Sequence, residues 1–354
     1  MQTVLIYSTL FISTVFFSYY AGMKKKRRYL IVAAILLSMV AGLRGSTVGI
    51  DTQGYVHYFE LIAHGKTQYV YGMEPSFIAI CKVLLYLLQD TSILLLIFAL
   101  ITNILIFLRI WDFRKYISLP WTVTVYFGIF YFMTFNIMRQ FVAVAIVFWS
   151  TRYLQKKSYI KFILAILIAS LFHNSALLGL LFFCFEITAW KYLNRAQKRL
   201  LTCAILCAPL ALYYIMRIAL RYQGYFSSVS SSIGLMVLVK FLLFILLFIT
   251  ARRLISIGKD EELDTRVRYS ELMVHEYYLA GLGLTTIGYY FSYMDRLGLY
   301  FYLFETIYIG MVMKSRRVHV LIKMVITVLY CYILIGSMFG SGHGQGNYMF
   351  FWQM

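Results

Sequence analysis

Five arginines and one histidine have the side-chain types needed to hold an anion and move a proton: Arg44, Arg139, Arg217, Arg221, Arg296 and His173. A guanidinium is planar, stays charged at neutral pH and grips a phosphate through two parallel hydrogen bonds. An imidazole titrates near neutrality, so it can serve as a general base or as an orienting donor. Asp51, close behind Arg44, can orient that arginine or act as the base instead. The plainer alternative is that each arginine snorkels to lipid headgroups and that His173 caps a helix mouth or bonds a neighbour. His57 and His64 are weaker candidates, and His275, His319 and His343 are given no role.

Other catalytic devices are missing. The sequence has no phosphate-binding P-loop, no G-x-S-x-G and no H-E-x-x-H. Cys203 and Cys207 stand on one predicted helix with no histidine or second cysteine pair to complete a metal set. No metal, cofactor or disulfide is therefore expected. The acidic run from Asp260 to Asp264 reads as a solvated loop surface. Lys240, in the middle of an apolar segment, is costly in lipid and is expected to face other helices.

The elements that position these residues follow from composition. Hydrophobic residues make up 62% of the 354, and charged residues only 13%. A soluble domain carries roughly 25% charged residues and cannot hide this much apolar surface from water. The expected fold is all-α, a single polytopic membrane domain over 1–354 with about 12 transmembrane helices of some 20 residues each. Apolar segments run over 4–22, 29–43, 76–89, 93–110, 120–136, 140–153, 160–172, 174–189, 200–216, 234–251, 272–291, 297–313 and 319–337. The net charge of +19 does not indicate nucleic acid, because the basic residues fall in short clusters between apolar runs.

Those clusters set the orientation. Residues 24–28, 109–115, 152–161, 191–199, 252–268 and 314–323 hold most of the 33 Lys and Arg, and are assigned to the cytoplasm. The run 4–22 leads straight into Lys24 without a basic segment before it, as expected for a retained helix with its N-terminus outside. The long loop 44–75 is then extracytoplasmic. One segment too many lies between it and 109–115. Segment 76–89 is short and carries Lys82, so it is expected to be interfacial or re-entrant. His173, Asn174 and Ser175 break the run 160–189 into two short crossings with His173 outside. All the candidate residues named first share that outer side, where five of the six basic residues are arginine and only Lys66 is lysine. Arginines gathered at the outer interface are what a lipid-pyrophosphate site requires.

Three blocks of sequence resemble the EpsG family of Wzy-type polysaccharide polymerases. The first is RGSTVGIDTQGYVHYF, with Arg44, Gly45, Gly49, Asp51, Thr52, Tyr55 and Phe59, followed by Glu74. The second is FNIMRQFVAVAI, with Asn136, Arg139, Gln140 and Ala143. The third is KFILAILIASLFHNSALL, with Ala169, Phe172, His173, Ser175 and Ala176. A fainter echo is DRLGLYF at 295–301, and a proline-containing segment often expected after it is missing.

The resemblance implies an enzyme of the bacterial plasma (inner) membrane that works at the extracytoplasmic face. Its substrates would be oligosaccharide repeat units on undecaprenyl pyrophosphate. The growing chain would pass from its lipid pyrophosphate to a sugar hydroxyl of a new unit, without nucleotide sugar or metal. Partners would be these lipid-linked units, membrane lipids, a flippase and a chain-length regulator, with no nucleic acid. Arg139 and Arg44 are expected at the pyrophosphate, and His173 at the acceptor hydroxyl. Asp51 would be the alternative base or orient Arg44. Arg217, Arg221, Arg296, Asn136 and Tyr55 are expected to bind substrate. Rival readings are an O-antigen ligase or membrane acyltransferase, and a transporter or flippase. The last predicts an internal repeat and midplane charges; no clear repeat is present.

Overall fold

The computed structural model describes residues 2–183, 265–287 and 294–353, and the following applies to those residues. The chain forms two compact units. One comprises Met1–Leu177, Ile309–Lys314 and Met324–Met354; the other lies within Leu178–Tyr308 and Ser315–Lys323.

The described residues are helical, with no strand beyond one isolated bridge between Arg44 and Phe350. The first unit opens with α1 (Gln2–Lys24) and α2 (Arg27–Gly42), joined by a hairpin of two residues. Lys25 turns the chain in the left-handed region, and the Lys26 N–H closes the turn on the Ala21 carbonyl. This leaves the basic cluster at one end of the pair. The segment expected as an outer loop contains a helix, α3 (Thr52–Ala63). Thr52, Tyr55, Phe59 and Ile62 recur at helical spacing and are its buried residues, so the amphipathic pattern explains it. Then follow α4 (Pro75–Leu88), α5 (Ser92–Asp112), α6 (Leu119–Val125), α7 (Met133–Asn136), α8 (Met138–Gln155) and α9 (Tyr159–Ser170).

Three helices are long and apolar enough to cross a membrane: Gln2–Lys24, Ile93–Asp112 and Val320–Phe339. Pro75–Leu88, Tyr159–Ser170 and Asn174–Phe183 are apolar but shorter. At 14 residues, α4 is about 21 Å long, well under the ~30 Å hydrocarbon core. The expected segment 120–136 is interrupted by a π-helical turn, Tyr126–Tyr131, between α6 and α7. Expected segments 200–216 and 234–251, and most of 174–189, lie outside the described residues.

Helix α2 packs on α1 and α5, α5 on α8, and α8 on α9. The Ser38 hydroxyl of α2 reaches the Ala99 carbonyl of α5 at 3.1 Å. Helix α8 is the centre of this unit. From Met138 to Phe148 nearly every side chain is buried, as befits a helix hydrophobic all round. Its first turn carries Arg139. In the second unit α10 (Thr265–Ile287) packs on α11 (Met294–Tyr302). The expected segment 297–313 breaks at Leu303 and Phe304 before α12 (Glu305–Lys314), and the last long helix is α13 (Val320–Phe339).

Candidate active site around Arg139, Glu74 and His173

Proline at the start of α4 keeps the preceding residue out of helical conformation. Glu74 is accordingly extended, at φ −66 and ψ 137, and its carboxylate does not cap its own helix. It reaches other segments instead. Oε2 pairs with Arg139 Nη1, and Oε1 lies 3.0 Å from His173 Nδ1. The approach of Nδ1 is close but poorly aligned as a hydrogen bond. The Asn174 N–H donates to the same Oε1 at 3.4 Å. Glu74 is 10% exposed, Arg139 15% and His173 30%, so the histidine is the member most open to its surroundings.

Burial alone would raise the Glu74 carboxyl. The His173 contact and the Arg139 charge outweigh it and hold the carboxyl below its ordinary value. Glu74 is therefore ionised at neutral pH. The Arg139 guanidinium lies 5.4 Å from the centre of the Phe77 ring, and its buried Nε has no acceptor. Tyr55, from α3, lies beside Arg139; burial raises its phenol while the Arg139 charge opposes the shift. The Ser76 hydroxyl donates to the Leu171 carbonyl at 2.7 Å, fastening the start of α4 to the turn that carries His173.

Arg44 sits elsewhere and differently. It is 2% exposed. Its Nε–H is shared between Val48 O at 3.2 Å and Thr52 Oγ1 at 3.1 Å, and Nη2 donates to Phe135 O at 2.9 Å. Nη1 donates to Ala41 O, and the guanidinium lies over the Phe135 ring. Burial lowers it to about 10, so it keeps its proton at neutral pH. Here the arginine fork holds backbone carbonyls together rather than facing an open phosphate site. Asp51 is exposed, and none of those Arg44 bonds goes to it.

Asn136 links the same loop to the chain's far end. Its Oδ1 accepts the Ile50 N–H at 2.8 Å, and its Nδ2 donates to the His343 carbonyl at 3.2 Å. The segment 343–351 continues this seam. Gly49 N–H donates to Gly344 O, Gly45 N–H to Met349 O, and Phe351 N–H to Leu43 O, at 3.0, 2.7 and 3.0 Å. Tyr348 donates its hydroxyl to Val40 O at 2.8 Å.

Of the residues picked from sequence, the structure brings together Arg139, His173 and Tyr55. Arg44 and Asn136 belong to the loop seam. Arg296 is exposed at the start of α11, in the second unit. Arg217 and Arg221 lie outside the described residues. Glu74 was read in the first sequence block but given no role. Its only local signal is an acid directly before proline, and nothing in the spacing links it to positions 139 and 173. Among the described residues no group of three or more His, Cys, Asp or Glu side chains is placed to hold a metal ion.

The EpsG family profile matches residues 27–353, and so takes in every residue of this cluster. No curated protein and no solved structure matches the chain.

Proposed function

The chain belongs to the EpsG family, a family of Wzy-type polysaccharide polymerase-like membrane proteins, and from that premise we propose that it polymerises repeat units carried on undecaprenyl pyrophosphate at the outer face of the bacterial plasma membrane. The observation that carries the reading is the convergence of Arg139, Glu74 and His173 from three distant segments in a membrane chain of this family.

The transfer needs two things from the protein. As the acceptor hydroxyl oxygen bonds the anomeric carbon, the bond from that carbon to pyrophosphate breaks, and its electron pair leaves with undecaprenyl pyrophosphate. Charge grows on the leaving phosphate, where a fixed guanidinium acts most strongly in a water-poor site. Arg139 fits this role. One nitrogen is held by Glu74, which fixes the plane of the guanidinium, and the buried Nε–H has no acceptor of its own. The acceptor proton must also go to a base. With Nδ1 against Glu74, His173 presents Nε2 as the acceptor of that proton. Glu74, held ionised and mostly buried, is a poor base and a good orienter. Charge is met by guanidinium groups, so the reaction is read as metal-independent.

Arg44 and Asn136 serve this site by shaping the loop above it. Tyr55, buried beside Arg139, is read as a substrate-binding residue. Arg217, Arg221 and Arg296 are assigned to phosphate or glycan by residue type and expected side. Asp51 is the alternative base. The seam joins the loop after α2 to 343–351, so the two share one side, and the basic clusters assign that loop to the outside.

The test is elongation in liposomes holding the purified protein and undecaprenyl-pyrophosphate-linked repeat units extracted from host cells that lack it. Arg139→Ala and His173→Ala should each reduce elongation by about 10²-fold or more. Arg139→Lys should fail as well, because an ammonium has no planar fork to hold Glu74 and a phosphate oxygen in fixed directions. Normal chain lengths in these variants would remove both residues from the site. Movement of units across the bilayer without elongation would favour a flippase.

A further inference from the structure

We infer that Glu74 is a positioning residue of this site, which fixes the ring of His173 and the plane of Arg139 in register with each other. The inference rests on the reading of the site given above and adds a member to it.

Three observations carry it. First, Glu74 is the N-cap residue of α4, and its side chain makes no capping bond to that helix, which leaves both oxygens to other segments. Second, its two oxygens are divided between two partners. Oε2 is on Arg139, and Oε1 faces His173 and accepts the Asn174 N–H. One rigid carboxylate therefore sets the relative position of a cation and an imidazole from separate segments. Third, the first turn of α4 supports the arrangement twice more, through Phe77 under the guanidinium and Ser76 on the Leu171 carbonyl. A carboxylate beside one ring nitrogen favours the tautomer that carries the proton there and leaves the other nitrogen as acceptor.

Glu74 is also a negative charge beside a proposed anion site. It opposes donor binding in the ground state while ordering the groups that act in the transition state. Its removal should therefore separate kcat from KM.

The experiment compares Glu74→Gln, Glu74→Asp, His173→Ala and the double variant E74Q/H173A in the liposome assay, together with nitrogen-15 spectra of histidine-labelled protein. E74Q should lower kcat by about 10- to 100-fold while KM for the lipid-linked donor stays level or falls. E74D, which keeps the charge on a shorter arm, should recover part of that rate. The double variant should lose less than the product of the two single losses, because only the Arg139 share of Glu74's role remains in H173A. The His173 signal, identified by its loss in H173A, should report the Nδ1–H tautomer in the native protein and a mixture in E74Q. Native kcat in E74Q, a raised KM, losses that multiply, or an unchanged tautomer would each overturn the inference. If E74Q does not accumulate in the membrane, E74D decides alone, and native kcat there overturns it. If R139A and H173A elongate normally, the site reading itself falls. If they stop while E74Q does not, only the role of Glu74 falls.

Discussion

At the scale of single residues, two arginines of one type stand in different surroundings. Arg139 is partly open, with one nitrogen on Glu74 and another without an acceptor. Arg44 is buried and bonds carbonyls from Ala41, Val48 and Phe135 and the Thr52 hydroxyl. A lysine would keep the charge but could not reach all four. Each buried carbonyl left without a donor costs roughly 1–3 kcal/mol. Arg44→Lys should therefore lower the thermal midpoint in detergent by several degrees and reduce elongation in step with it. A variant of native stability with no activity would instead place Arg44 at the substrate. The sequence announced both arginines equally, since type and side are all it offers. Whether a guanidinium meets carbonyls or solvent depends on residues such as Phe135, which lies 91 positions from Arg44. Glu74 stayed hidden for the same reason.

At the scale of elements, short pieces between the long helices do the positioning. Helix α4, about 21 Å long, presents Glu74, Ser76 and Phe77 from its first turn. Its shortness and Lys82 were legible, as was the break at His173. The amphipathic spacing of α3 was legible too, though 44–75 reads first as loop. The π-helical turn in 120–136 was not, because an unbroken apolar run does not reveal a shift in hydrogen-bond register. The loop seam depends on two glycines at positive φ, Gly49 at 95° and Gly344 at 70°. A Cβ on Gly344 would come within 2.8 Å of the Ile50 nitrogen, besides straining the backbone. Gly344→Ala should cost about 1–3 kcal/mol and loosen the seam. Proteolysis of the loop should speed up while the helical circular dichroism signal holds. Unchanged cleavage of the loop would mean the seam does not secure it.

At the scale of the whole molecule, the reading depends on sidedness. Apolar runs and basic clusters gave the helical class and an orientation; they could not say which helices meet. Labelling with a membrane-impermeant thiol reagent tests the orientation. Cysteines introduced at Asp51 and at Ser175, beside His173, should react from outside intact cells, while one at Lys115 should not. The reverse pattern would end the proposal of outer-face transfer. A different consequence follows from how the first unit closes. The Tyr348 N–H bonds the hydroxyl of Thr3, 345 positions away, and the Gly344 and Met349 carbonyls receive N–H groups from the loop after α2. Contacts so remote in sequence form late, because the chain must be ordered over most of its length first. A ribosome therefore releases the loop after α2, and then its anchors Phe135 and Asn136, long before its seam partners at 344–349 exist. Nascent chains halted ahead of Gly344 should leave that loop open to protease, and longer ones should shield it. The loop after α2 would thus be secured in one step, once residues 344–349 have been made.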